Sequence, residues 1–387
     1  MVNKNFLILS LTLLFFLICG AVFAYISQKN EKNTIVLGTS LPLSGINSDL
    51  GSDIVIGANT YFSHINARGG VQNKKIQLIQ YDDKYEPENT LQNTLKLIQK
   101  DEAFALFGFV GTPTVKKIMP LIAYTQIPFI APYTGASFLR SSEHENIVNF
   151  RSSYAQEMDA LVEYLHVQKK ITKFAIFYQN DDYGEEGYVA LAQALAKRNL
   201  QLSSEGTYKR NTLSIRHAVH EIETTKPEVI ILVGAYKPTA RFIEKVKSSF
   251  SYQPLFAPIS FVNANALMHE LKDNGENILF SQIIPACDDF YSKESGEYRK
   301  LLAFYYPHAK PSLVSFESYL AAKTVVHALQ NIHGSITRDK FLFHLKNLNG
   351  NTLDSIPLAY RNSQMLNQVY LSQYVQGKFE TIQKYEY

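Results

Sequence analysis

The sequence has no tryptophan, two cysteines and almost no excess charge. Each shortage excludes something. The cysteines are Cys19 and Cys287. Cys19 falls in an N-terminal segment expected to be removed, so Cys287 is left alone and the mature chain can hold no internal disulfide. The fold must then rely on its apolar core, and roughly 360 mature residues suffice for two domains with full cores. The formal net charge of +3 includes Lys4 of that segment. No basic tract carries interleaved aromatics, which argues against nucleic acid as a partner. Catalytic signatures are missing as well. There is no Gly-x-Gly-x-x-Gly, no Walker loop, no His-Glu-x-x-His and no Gly-x-Ser-x-Gly elbow.

What is present begins with a targeting segment. Lys4 precedes an apolar stretch from Phe6 to Ile18, and small residues follow at Gly20, Ala21 and Ala24. Val22-Phe-Ala24 meets the small-residue cleavage rule, so residues 1–24 are expected to be a signal peptide cut after Ala24. The rival is an uncleaved tether, because Phe6 to Ile26 is about long enough to span a bilayer. A lipoprotein reading of Leu17-Ile-Cys19 is weaker, since the residue before the cysteine is not small. In either case the body of the protein is exported.

From Thr34 onward the pattern alternates strand and helix. Apolar runs at Ile35–Leu41, Ile76–Tyr81, Phe104–Phe107 and Pro128–Ala131 are each followed by helical spacing. A second set follows, with strands at Phe174–Tyr178, Leu202–Tyr208, Val229–Val233 and Leu255–Ile259. Between its first two strands, Gln179-Asn-Asp-Asp-Tyr-Gly184 reads as a polar loop before a helix from about Glu185. This is the rhythm of parallel βαβ units, in two α/β halves of about 120 residues each. The tail adds a strand at Ile278–Pro285, helices near 294–306, 316–332 and 338–348, and a hairpin around Gln376-Gly377.

Three phrases sit where strands give way to helices: Thr39-Ser-Leu-Pro-Leu-Ser-Gly45, Gly108-Phe-Val-Gly-Thr-Pro-Thr114 and Ala131-Pro-Tyr-Thr-Gly-Ala136. Open α/β sheets place their ligand loops there. The phrases offer hydroxyls, glycine and backbone N–H groups, with no His, Cys or Lys to act as base or nucleophile. They suit holding a small polar molecule rather than transforming it. The plainer reading is that Gly108, Gly111 and Pro113 only shape a turn and Thr112 only caps a helix. Tyr183 and Tyr236 could be rim packing. Asp82-Asp83 reads as a strand-end polar cluster, because neighbours on a strand point to opposite faces. His217 and His220, with Glu221, read as a surface helical face rather than a metal site.

Six phrases in order carry a family resemblance. They are Gly38-Thr-Ser-Leu-Pro-Leu-Ser-Gly45, Ile65-Asn-Ala-Arg-Gly-Gly70, Tyr81-Asp-Asp83, Gly111-Thr-Pro-Thr114, Pro132-Tyr-Thr-Gly-Ala136 and Asp182-Tyr-Gly184. Across residues 34 to about 240 the chain resembles the exported solute-binding proteins of branched-chain amino-acid and amide uptake systems, with the type I periplasmic binding-protein fold. The resemblance implies an α/β fold of two Rossmann-like lobes joined by a three-crossing hinge. Lobe 1 would hold 33–151 with 285–357, and lobe 2 would hold 152–284 with 358–387. A periplasmic protein is implied that binds a small polar solute between the lobes and presents it to the membrane permease of an ABC transporter. It would use no cofactor and catalyse nothing. The alternative from the same fold is a ligand-sensing receptor domain for a signalling partner.

The resemblance also implies ligand positions. Thr112 and Thr114 match the carboxylate-binding turn, and Tyr133, Thr134 and Gly135 match the next strand end. Leu50 falls where several members place an aromatic wall. Tyr154, Tyr183 and Tyr236 fall on cleft-facing segments of the second lobe. One departure stands out. Amino-acid-binding members carry an acid after the strand here read as Leu255–Ile259, to pair with the ligand's ammonium group. This chain reads Pro258-Ile-Ser-Phe-Val262. An ordinary α-amino acid then needs Asp181, Asp182 or Glu157 in that role.

Overall fold

The computed structural model describes residues 33–289, 291–348 and 352–387. The signal segment with its cleavage site, the rival tether and Cys19 lie outside them. The first half runs β1 (Thr34–Leu41), α1 (Ser48–Ala67), β2 (Lys75–Asp82), α2 (Pro87–Gln99), β3 (Ala105–Phe107), α3 (Thr112–Thr125), β4 (Phe129–Ile130) and β5 (Ile147–Val148). Its strands form one parallel sheet in the order β2-β1-β3-β4-β5. Pro87 opens α2 at a position where its missing N–H costs nothing.

The second half runs α4 (Tyr154–Val162), β6 (Phe174–Gln179), α5 (Asp182–Ala196), β7 (Leu202–Tyr208), α6 (Arg216–Glu223), β8 (Val229–Val233), α7 (Tyr236–Ser249), β9 (Leu255–Pro258) and α8 (Ala264–Glu270). Its parallel sheet has the order β7-β6-β8-β9. Every residue of β8, Val-Ile-Ile-Leu-Val, is buried. A strand covered by helices on both faces has no polar face to alternate with, which is why it reads as an unbroken apolar run.

The tail returns to both halves. It contains β10 (Phe280–Gln282), α9 (Lys293–Tyr305), α10 (Leu313–Gln330), α11 (Arg338–Lys346), β11 (Gln368–Val375) and β12 (Lys378–Glu386). Helix α10 lies against α1 of the first half. Ser318 Oγ donates to Ile54 O at 2.7 Å. A Cβ on Gly57 would stand 2.0 Å from Ser315 O, so only glycine allows this approach. Strands β10, β11 and β12 form an antiparallel sheet with β11 in the middle, and β10 and β11 also pack against α4.

Two chain segments run side by side between the halves. Leu366 N donates to Phe150 O at 2.9 Å, and Ser152 Oγ donates to Gln368 O at 2.7 Å. The third passage is 278–282, where Ile278 bridges Phe256 before β10 begins. The expected strand over Ile278–Pro285 therefore shortens to Phe280–Gln282. Two α/β lobes joined by three crossings result.

One local expectation is corrected. The segment ending in Tyr183-Gly184 is not all loop, because α5 starts at Asp182. Asp181 Oδ1 accepts from Tyr183 N at 3.1 Å and caps the helix three residues earlier than its apolar pattern suggests.

Candidate ligand site

The carboxyl ends of the two parallel sheets face each other, and polar bonds join them at several points. Tyr236 Oη donates to Asp49 Oδ2 at 2.7 Å. Arg210 Nη2 reaches Glu86 at 3.1 Å, and Lys116 Nζ reaches Asp182 at 2.5 Å. Ser137 N donates to Glu186 at 2.8 Å. These contacts ring an interior built mostly of hydroxyls and aromatic faces.

From the first lobe come Thr112, at the start of α3, and Thr134, just beyond β4. Both are fully buried, and their hydroxyls bond each other at 2.7 Å. Tyr154 Oη lies 3.3 Å from Thr134 Oγ1, and it is also within hydrogen-bonding reach of Thr112. The Tyr154 ring lies 5.7 Å from that of Tyr183. The Tyr183 hydroxyl is buried and finds no hydrogen-bond partner among the described residues. Burial pushes the Tyr154 and Tyr183 hydroxyls above their ordinary range, so both remain protonated at neutral pH.

Other expected residues take different places. Thr114 Oγ1 donates back to Val110 O and Gly111 O, so its hydroxyl serves the turn. Gly135 O accepts from Tyr154 N at 2.9 Å, and a Cβ there would stand 2.5 Å from the Tyr154 ring. Leu50 is buried in the same apolar cluster as Tyr133, Tyr154 and Tyr183. Tyr236 lies to one side, in the other large cluster, tied to Asp49. Tyr133 points its hydroxyl at Ser260 O, 3.4 Å away, and carries the Arg151 guanidinium over its ring at 4.0 Å.

Several residues at the centre were not singled out from the sequence. Phe261 enters from the second lobe and packs on Tyr183, Tyr133 and Tyr85, with ring centroids 4.4, 5.6 and 6.5 Å away. Arg151 is 1% exposed. Its Nε lies 3.1 Å from Glu317 Oε1, and its Nη2 donates to Ser260 Oγ at 2.8 Å. Burial pushes the Glu317 carboxyl up to about 7 against the pull of Arg151, and nearby Glu157 adds to the rise. Burial lowers the guanidinium, but Glu317 together with Tyr133, Glu157 and Tyr154 outweighs that cost and holds it above its ordinary value. Tyr85 was signalled only indirectly, through Asp82-Asp83. Asp83 accepts from Ser40 Oγ, Thr90 Oγ1 and Tyr85 N, while Asp82 turns to Leu43 N and Ser44 Oγ. That is a strand-end polar cluster.

The three acids considered for an ammonium group are all engaged. Glu157 accepts from Ser260 N, Ser260 Oγ and Ser281 Oγ at 2.8, 2.8 and 2.7 Å. Asp181 accepts from Tyr183 N, Gln179 and Arg210. Asp182 pairs with Lys116. His217 and His220 are exposed on α6, away from this interior.

Two facing Rossmann-like lobes, three crossings and an interior of convergent hydroxyls are the architecture of a binding protein of the type I periplasmic kind. The chain belongs to the periplasmic binding protein family, whose model matches residues 34–378. A "Leu/Ile/Val-binding protein homolog 7" of Brucella abortus is 22% identical over 325 residues, covering 78% of each protein. A structure from Rhodopirellula baltica, described as "a possible leucine/isoleucine/valine-binding protein", superposes with a TM-score of 0.85 at 30% identity. That match covers 91% of this chain and 96% of the other. A fatty acid ABC transporter substrate-binding protein from Thermomonospora curvata reaches a TM-score of 0.81 at 18% identity, over 92% and 93% of the two chains. Similar folds thus carry names for very different solutes.

Proposed function

We propose that this chain is the periplasmic solute-binding component of an ABC uptake system, and that its ligand sits between the lobes against Thr112, Thr134, Tyr154 and Tyr183. The closed form would be the one presented to the membrane permease. The lobe limits belong to the same reading, 33–151 with 285–357 and 152–284 with 358–387. The observation that carries it is the buried meeting of hydroxyls from both lobes. Thr112, Thr134 and Tyr154 bond one another there, whereas the buried Tyr183 hydroxyl, which has no partner among the described residues, costs free energy unless it binds something. The N-terminus of α3 at Thr112 adds a field favourable to a carboxylate.

The test is a thermal-shift panel of amino acids, short amides and carboxylates. A ligand present at a hundred times its dissociation constant adds about 2.7 kcal/mol to stability. Thr112→Ala removes one hydrogen bond to a buried polar or charged group, worth about 1–3 kcal/mol. Affinity then falls roughly tenfold to a hundredfold. If a hit survives Thr112→Ala at full affinity, the ligand lies elsewhere.

A further inference from the structure

Phe261 is placed as a ligand would be. It is 3% exposed, although it sits in a short turn between β9 and α8 rather than within a sheet. Its ring is enclosed by Tyr183 and Tyr133, with Tyr85 beyond them. It does not reach that place by chance of rotamer. The preceding residue is fixed at both its N–H and its hydroxyl by Glu157, and again at the hydroxyl by Arg151. Asn263, two residues after Phe261, adopts a left-handed conformation with φ of 62° and caps α8. The backbone is thus held on both sides, and the ring is delivered into the space between the lobes.

The polar groups beside the ring are of one kind. Thr112, Thr134 and Tyr154 share a chain of hydroxyl bonds, and the Tyr183 hydroxyl, fully buried next to them, has no partner among the described residues. The Tyr85 hydroxyl is buried beside Gln179. The one hydrogen not spent within that chain of hydroxyl bonds and the hydrogen of Tyr183 suit an acceptor such as a carboxylate or amide oxygen. The three acids considered for an ammonium group, Glu157, Asp181 and Asp182, already take hydrogen bonds from protein donors. Burying an ammonium group without a counter-charge costs several kcal/mol.

We propose that Phe261 occupies the place of a ligand's side chain, so that the cleft takes a small monocarboxylate or its amide with neither a large side chain nor an α-ammonium group. This rests on the solute-binding reading and narrows its ligand. The acceptor oxygens meet Thr112, Thr134, Tyr154 and Tyr183, and the short carbon tail meets the edge of the Phe261 ring. Larger solutes are refused because the ring and its pinned backbone already fill the apolar part of the site. Shortening the side chain turns that volume into an apolar cavity, and dry apolar cavities of this kind accept small aromatic rings.

Isothermal titration calorimetry on the full chain decides the matter, with propionate, propionamide, alanine, leucine and phenylacetate as probes. The wild type should take propionate or propionamide at least tenfold more tightly than alanine or leucine. Phe261→Ala should gain phenylacetate at least tenfold over the wild type. Phe261→Leu keeps most of the packing and should show a smaller gain, which covers the case in which the alanine variant does not fold. Leucine bound by the wild type as tightly as propionate or propionamide, or more so, overturns the proposal while leaving a solute receptor in place. Folded variants that gain no phenylacetate overturn it as well. If no probe binds any of the proteins, the assignment of a small monocarboxylate or amide is overturned, while the solute-binding reading stands or falls by the wider thermal-shift panel.

Discussion

Replacing Arg151 by methionine tests the electrostatics beneath the cleft most directly. The guanidinium is buried between Glu317 and Ser260 and rests on the Tyr133 ring. Removing one partner of a buried ion pair costs up to about 3–5 kcal/mol where the other group stays charged, which for Glu317 means above neutral pH. The unfolding entropy of about 2.1 cal/mol/K per residue sums to roughly 0.7 kcal/mol/K over the mature chain. The expected fall in Tm above neutral pH is therefore up to about 4–7 °C. The pH dependence makes the test specific. The Glu317 carboxyl is raised from 4.5 to about 7 in the wild type. A raised acid gives a contribution that is complete below its unfolded value and is lost as pH rises through its folded one. In the wild type that loss ends near 7. Without Arg151 the carboxyl rises further, so the variant goes on losing up to about 1.4 kcal/mol per pH unit beyond that point. Calorimetric melting at about pH 5, 7 and 8.5 should thus show a gap that widens only above neutrality. Arg151→Met with Glu317→Leu should regain at least half of the loss, since an apolar pair often replaces a buried ion pair without penalty. A gap independent of pH, together with a double variant as unstable as the sum of the singles, would refute the coupling.

Two further outcomes follow from packing and burial. Gly57→Ala forces a methyl group against Ser315 O, a backbone atom that cannot rotate away. It should cost about 1–3 kcal/mol by urea denaturation, and a neutral result would mean that α1 and α10 are not so tightly apposed. Asp53 is raised from 3.8 to about 6, chiefly by burial, with Asp49 adding to the rise and the Ser312 hydroxyl opposing it. Its contribution is present below 3.8 and is lost as pH rises through about 6. Asp53→Asn should therefore flatten the decline in Tm over that interval, and an unchanged slope would count against the assignment.

The alternation of strand and helix was legible because parallel strands covered on both faces leave apolar runs such as Val229–Val233. The hairpin was legible because Gln376 and Gly377 both adopt positive φ in a two-residue turn. The two- and three-residue strands β4, β5 and β10 were harder, since so few residues carry no period. The start of α5 lies ahead of its apolar pattern because Asp181 acts as a cap, a role hidden in the polar run 179–182. Thr112, Thr134, Tyr154 and Tyr183 come together in the structure because strand ends on facing sheets must. Phe261, Arg151 and Glu317 could not be found in this way. Arg151 and Glu317 are 166 residues apart, and only the assembled crossings bring them into contact. The missing acid in Pro258–Val262 was visible, but the use of Glu157 to anchor that turn was not.

The seating of α10 on α1 has a consequence for the order in which the molecule is made. Ser318 and Ile54 meet across 264 positions of sequence. The helix that covers the first sheet is therefore among the later parts synthesised, and β11, the middle strand of the last sheet, comes later still. Until then the first half has an apolar surface and nothing to put on it. Contacts so distant in sequence make folding slow, because the loop must close before any contact repays it. That surface thus stays uncovered for most of the synthesis of the chain.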